Sequence, residues 1–347
     1  MKKILAVLCA LSMIFALCAC GQSAAPASAP APAPEAAAEP AAEPAAEEAA
    51  PDAAADKVFS VGVCQLVQHP ALDKATEGFV DALTEKLGDK VKINVQNASG
   101  DSATCATIVG TFVSDEVDLI MANATPALQA AQAATNKIPI LGTSITEYGV
   151  ALGLDNFAGK TGINVSGTSD LAPLDGQADV LHELFPDAAT VGILYCSAEA
   201  NSKYQVEAIT PFLEAHGLKV NTYTFADSND VAAVTATACD ENDVLYIPTD
   251  NTAANCAEAI NNVALPAGVP IVCGEENLCA GCGVATLSIS YYDIGFATGL
   301  MAFEILANGA DVSAMEIQYA PQFTKEFNAA ACEALNITVP EDYVAIG

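Results

Sequence analysis

Phe59-Ser60-Val61-Gly62-Val63-Cys64 and Thr190-Val191-Gly192-Ile193-Leu194-Tyr195 are short apolar runs, and each opens a series of the same kind. The first is followed by an amphipathic stretch over 72–87, a strand over 92–95 and a helix over 102–114. A strand over 118–122, a helix over 126–135 and a strand over 138–141 complete it. After a helix over 172–184, the second run leads to helices at 202–216, 230–238 and 255–263. Strands at 218–225, 244–247 and 270–273 alternate with these. Short buried strands alternating with amphipathic helices predict parallel sheets covered on both faces. Two passes of the pattern predict two Rossmann-like α/β lobes joined by a hinge, dividing near 162–169. In open α/β sheets ligands bind beyond the carboxyl ends of the strands, so two such sheets would face one another across a cleft.

The sequence N-terminal to these runs is of another character. Lys2 and Lys3 precede an apolar run over 4–19, too short for a comfortable membrane span and fitting a secretory signal. It ends Leu17-Cys18-Ala19-Cys20-Gly21, which resembles a bacterial lipobox in which Cys20 is lipidated and becomes the mature N-terminus. The alternative is an ordinary signal cut after Ala19, leaving Cys20 a free thiol. The four-residue match, its position and the tether behind it favour lipidation. Residues 20–56 then form an Ala/Pro/Glu linker, extended because proline breaks helices and glutamates repel one another. The expectation is an exported protein, anchored by lipid to the outer face of the bacterial cytoplasmic membrane.

Charge removes whole classes of function. The 347 residues carry 43 acidic groups against 12 basic ones, a net charge of −31, and every basic residue is lysine. Without arginine or clustered cations, neither nucleic acid nor an anionic membrane surface is a plausible partner. An anionic ligand group must then be held by backbone N–H groups, hydroxyls or a few lysines.

The residues that follow each strand are small and polar. Gln65, His69, Asn97, Asp101, Asn123, Thr125, Ser144 and Thr146 come from the first series. Glu199, Asn201, Ser202, Thr249, Asp250 and Glu275 come from the second. There is no phosphate-binding glycine loop and no nucleophile elbow. Ser, Thr, Asn and Asp are also the usual helix N-caps, so each position has a purely structural alternative. Twelve cysteines are present, nine of them beyond Cys20, and an odd number cannot all pair. They fall singly, as small core hydrophobes would. Cys279-Ala280-Gly281-Cys282 lacks a second pair or a nearby histidine, so neither a metal nor a cofactor is expected.

Several stretches carry a family resemblance: Gln68-His69-Pro70-Ala71-Leu72-Asp73, Ala124-Thr125-Pro126-Ala127, Glu199-Ala200-Asn201-Ser202, Tyr246-Ile247-Pro248-Thr249-Asp250 and Ser290-Tyr291-Tyr292-Asp293-Ile294-Gly295. From about Val58 onward the chain resembles ABC-transporter substrate-binding lipoproteins of the type I periplasmic binding protein fold, a family with tryptophan- and tyrosine-binding members. Thr146-Glu147-Tyr148 departs from the Thr-Asp-Pro common there. The resemblance implies three hinge crossings. Lobe one would comprise 57–164 plus about 290–311, and lobe two 165–289 plus about 312–347. It also implies a non-enzymatic receptor that passes a small molecule, an amino acid with aromatic ones among the candidates, to an ABC permease. A ligand-sensing lipoprotein or a cleft enzyme is the alternative.

For an amino acid, Thr125, Ser144 and Thr146 suit the carboxylate. Asp250, Glu275 and Glu199 suit the ammonium, and Tyr148, Tyr204 or Tyr291 suit an aromatic side chain. Gln65, His69, Asn97, Asn201, Ser202 and Thr249 complete the expected ligand-binding set.

Overall fold

The structure is a computed structural model that describes residues 57–347. The expected signal peptide, the lipidation expected at Cys20 and the expected linker lie outside these residues. In chain order, the first series runs β1 (Phe59–Gln65), α1 (Pro70–Leu87), β2 (Val91–Asn97), α2 (Ser102–Ser114) and β3 (Leu119–Asn123). It continues with α3 (Thr125–Ala134), β4 (Ile140–Ile145), α4 (Tyr148–Leu152) and β5 (Val165–Ser169). The second series is α5 (Leu174–Leu184), β6 (Thr190–Cys196), α6 (Ala200–Ala215), β7 (Lys219–Phe225), α7 (Val231–Glu241) and β8 (Val244–Ile247). Then come α8 (Asn251–Asn255), α9 (Ala257–Ala267), β9 (Ile271–Cys273), α10 (Glu276–Cys282) and β10 (Ala285–Ser288). The chain closes with α11 (Tyr291–Asn308), β11 (Gln318–Tyr319), β12 (Thr324–Phe327), α12 (Ala329–Ala334) and β13 (Val344–Ala345).

Two sheets form, ordered β11-β5-β4-β3-β1-β2 and β13-β12-β10-β9-β8-β6-β7. Every pairing in the first is parallel; in the second only β10 and β12 pair antiparallel. Helices cover both faces, as the apolar periodicity requires. In α2, for example, Cys105, Val109 and Phe112 recur at helical spacing and are the residues buried. Asp101 starts that helix by accepting a hydrogen bond from the Thr104 N–H at 2.6 Å.

Lobe membership differs from the expected boundaries. Val165–Ser169 is a strand of the first sheet, hydrogen-bonded to β4, and not the opening of the second lobe. Gln318–Tyr319 also belongs to the first sheet, through β5. Lobe one is therefore 57–169 with 291–319, and lobe two 174–288 with 324–347. The chain crosses after β5, after β10 and after β11.

α11 is tied to lobe one by close helix packing. A Cβ at Gly295 would sit 2.0 Å from the Ala75 carbonyl oxygen, and one at Gly78 2.2 Å from that of Tyr292. Glycine at both positions lets the backbones of α1 and α11 touch, which sets the helix that begins at the second crossing firmly on lobe one.

Candidate functional site

The carboxyl ends of the two sheets meet, and most of the polar residues there are buried from both sides. The contact is direct: His69 Nε2, at the head of α1, lies 3.4 Å from Asn251 Oδ1 of lobe two. From there a connected network runs through both lobes. Asn251 donates through Nδ2 to Glu199 at 2.7 Å, and Asn201 donates to Glu199 at 3.0 Å and to the Thr249 carbonyl at 3.3 Å. The Tyr291 hydroxyl lies beside Thr249 and donates to Asp170 Oδ2 at 3.0 Å. Asp170 in turn lies beside the Thr146 side chain.

Lobe two spends its carboxylates on its own backbone. Asp250 caps α8, with Oδ1 accepting from the Ala253 N–H at 2.8 Å. Its Oδ2 accepts from the Cys196 N–H and the Ser202 hydroxyl, both at 2.7 Å. Glu199 accepts from the N–H groups of Asn251 and Thr252 at 3.1 and 2.8 Å and from the Thr252 hydroxyl at 2.8 Å. Glu275 caps α10 through the N–H groups of Asn277 and Leu278. Placed so, all three already have both oxygens engaged as acceptors within lobe two. The sequence predicts them to meet a ligand ammonium; in the structure they serve first as acceptors for the helix starts beside them, whose N–H groups otherwise lack partners. Burial pushes Asp250 and Glu275 each up to about 7, only partly opposed by these hydrogen bonds.

Lobe one is different. Ala124 and Ser144, at the ends of β3 and β4, have φ of 88° and 56°. Such values are costly for residues other than glycine, and strain of this kind gathers at functional sites. The Ala124 N–H donates to the Thr143 carbonyl at 3.1 Å, which sets Thr125 beside Ser144. The Asp170 N–H donates to the Ile145 carbonyl at 3.2 Å, which sets Asp170 against the same turn. Thr125 is the buried first residue of α3.

Among the described residues, four buried polar atoms on this network or within two residues of it have no hydrogen-bond partner: His69 Nδ1, Ser144 Oγ, Asp170 Oδ1 and Asn201 Oδ1. Both lobes and the crossing between them contribute. Burial is the main influence on two of these groups, pushing His69 below the usual histidine range and Asp170 up to about 6. A cavity of about 230 Å³ adjoins the network, lined by Leu66, Val67 and Pro126 of lobe one and by Glu199, Asn251 and Thr252 of lobe two.

Two expected residues lie apart from the cleft network. Asn97 is exposed on the edge strand, where its side chain accepts from the Ser99 N–H in a local turn. Gln65 is buried but fully used, bonding Val67, Asp73 and Thr76 to fasten β1 to α1. Of the tyrosines, Tyr148 is a core residue whose single O–H is shared between the Gly142 and Thr168 carbonyls, 3.0 Å from each. In the departure from the family pattern, Glu147 caps α4 through the Val150 N–H. Sequence reading missed Asp170 and gave Tyr291 only as an aromatic partner. The available signal was Ser169-Asp170 before Pro173, but it sat where a lobe boundary was expected.

The nine cysteines among the described residues are free, and eight are buried. They are less solitary than expected, since the thiols of Cys64 and Cys105 are neighbours, as are those of Cys273, Cys279 and Cys282. Burial raises the Cys273 thiol well above its ordinary range, which keeps it protonated.

Residues 60–346 match the ABC transporter substrate binding protein family. The chain belongs to that family. It is 38% identical over 250 residues to a tyrosine-binding protein of Clostridioides difficile (strain R20291), covering 71% of this chain and 72% of that one. A Streptococcus pneumoniae ABC domain solved in complex with L-Trp is 32% identical, with a TM-score of 0.78 over 82% of this chain and 96% of that one. A ligand-free, open substrate-binding protein with adhesive properties from Clostridium difficile is 37% identical, with a TM-score of 0.64 over 84% and 100%. In shape this member is thus nearer the liganded relative than the open one, although its sequence is nearer the latter. Its fold is that of the type I periplasmic binding proteins.

Proposed function

We propose that this substrate-binding protein captures an amino acid with an aromatic side chain between its lobes and delivers it, unchanged, to an ABC permease. Cys20 carries the lipid that keeps it at the outer face of the cytoplasmic membrane. One observation carries the reading: buried polar atoms of both lobes and of the crossing between them, all on or next to one hydrogen-bonded network, lack partners. A buried polar atom left unpaired costs about 1–3 kcal/mol, a cost removed when a polar ligand arrives. Thr125, at the head of α3, and Ser144 beside it supply hydroxyls to the ligand carboxylate near the positive end of the helix dipole. His69, Asn201 and Thr249 close over the ligand from the head of α1 and from lobe two. Closure removes water and strengthens each contact. The tyrosine- and tryptophan-associated relatives support an aromatic side chain.

The test is mass spectrometry of small molecules released from the purified protein, followed by calorimetric titration with the twenty amino acids. Micromolar or tighter binding of tyrosine or tryptophan is expected. Binding of a sugar or nucleoside, with none of any amino acid, sinks the proposal.

A further inference from the structure

The three lobe-two carboxylates are occupied by helix N–H groups, so a ligand ammonium needs another acceptor. Asp170 has the required properties. It is 4% exposed, its Oδ2 accepts from Tyr291 with the Thr146 side chain close by, and its Oδ1 has no hydrogen-bond partner. None of the ion pairs among the described residues involves it; the lysines in them are at the surface. A buried carboxylate with one open oxygen and no cation is unfavourable until a donor reaches it.

Position then narrows the donor. β4 and β5 are neighbours in the first sheet, with Ile145 opposite Ser169, so Asp170 follows on the strand beside Thr146, one strand along from Ser144 and two residues beyond it. Strands are spaced about 4.8 Å apart. Ser144 and Thr125 are the hydroxyls facing the ligand carboxylate, and an acid one strand away suits a cation borne on the adjacent carbon.

We infer that Asp170 receives the α-ammonium group of the ligand, so that the whole amino-acid zwitterion is read by the rim of lobe one and its crossing strand. Lobe two then contributes closure and the surroundings of the ligand side chain. This rests on the amino-acid reading above, and the experiment separates the two.

Titrate wild type, Asp170→Asn and Asp250→Asn with L-tyrosine and L-tryptophan, and with the deaminated acids 3-(4-hydroxyphenyl)propionate and indole-3-propionate. Asparagine retains an acceptor for Tyr291, removes the charge and puts an N–H donor in place of the other oxygen. The expected result is a loss of about a hundredfold in affinity for the amino acids in Asp170→Asn, with the deaminated acids changed less than about threefold. Asp250→Asn should leave both classes within about threefold. Equal losses for both ligand classes, or loss in Asp250→Asn alone, overturns the assignment of Asp170. Wild type that binds no amino acid overturns the amino-acid reading itself, a result seen without any variant. Thermal melts accompany each titration, and Asp170→Ser gives the same reading if the asparagine variant does not fold.

Discussion

The two rims of the cleft are built from the same kinds of residue and do opposite things with them. On lobe two, Glu199, Asp250 and Glu275 have their oxygens taken by backbone N–H groups at the starts of α8 and α10. On lobe one, Ala124 and Ser144 hold strained backbone, and Ser144 and Asp170 each leave a buried oxygen unpaired. On one rim the carboxylates are occupied by folding, with Asn201 Oδ1 left open; on the other a hydroxyl and a carboxylate are both left to be met by a ligand. The difference shows that a polar residue in a cleft is a ligand contact only to the extent that its bonding capacity remains unspent.

The strongest way to break this contrast is to remove a finished carboxylate. Asp250→Ala leaves the Cys196 and Ala253 N–H groups and the Ser202 hydroxyl without their acceptor. Unfolding free energy should fall by about 3 kcal/mol or more in urea titrations, with ligand affinity within about threefold of wild type. A large loss of affinity with unchanged stability would reverse the roles of the rims.

Proton linkage gives the next largest effect. Asp250 and Glu275, pushed by burial to about 7, and Asp170, pushed to about 6, bind protons more tightly folded than unfolded. Their contribution is fully present below their ordinary values near 4 and is lost as pH rises through 6 to 7. The melting temperature of the ligand-free protein should therefore fall by several degrees between pH 4.5 and pH 7.5. A rise over that interval would show these groups to be ionised at lower pH than their burial implies. Tyr148 and Tyr291, the other titratable groups against Asp170, have phenols raised well above their ordinary range and stay neutral throughout.

Ser144→Ala sharpens the contrast from the unfinished side. Its hydroxyl makes no protein hydrogen bond, so melting should be unchanged or slightly raised. Affinity should fall by about 1–2 kcal/mol, roughly tenfold, in calorimetric titration. The smallest effect belongs to Ala124→Gly. Relief of a φ of 88° is worth roughly 1–3 kcal/mol and the buried methyl about 0.8 kcal/mol, so a net gain of about 1 kcal/mol is expected from urea titration. A net loss would mean that the turn before α3 is not strained.

Much of the fold was legible because it depends on periodicity. α2 and β8 occur where the pattern placed them, and the two series of alternating strands and helices are both present. β5 was not legible. Val165-Ser166-Gly167-Thr168-Ser169 reads as a turn-rich joint, yet all five residues are buried. Gly167, at φ 140°, passes so close to Gly142 that a Cβ would lie 2.0 Å from its carbonyl oxygen. Packing that tight selects small residues, which erases the hydropathy signal of a strand. Asp170 was hidden with it.

The polar rim was only half legible for another reason. Asp250 and Thr125 follow strands in the same way, and sequence cannot show which one meets a cap donor. That depends on where Cys196 and Ser202 arrive from elsewhere in the fold.

The discontinuous lobes have a consequence for how the molecule is made. Lobe one lacks the helix that covers Phe79 and Leu83 until residues 291–308 have been synthesised. Lobe two lacks β12 and β13 until the last two dozen residues are out. A ribosome working from the N-terminus therefore releases almost the whole chain before either lobe can be completed. Domains generally fold as units, so the early strands must wait, unpacked, for partners more than two hundred residues downstream. Such a chain remains threadable until late in its synthesis, and a premature stop after β10 would cost both lobes at once.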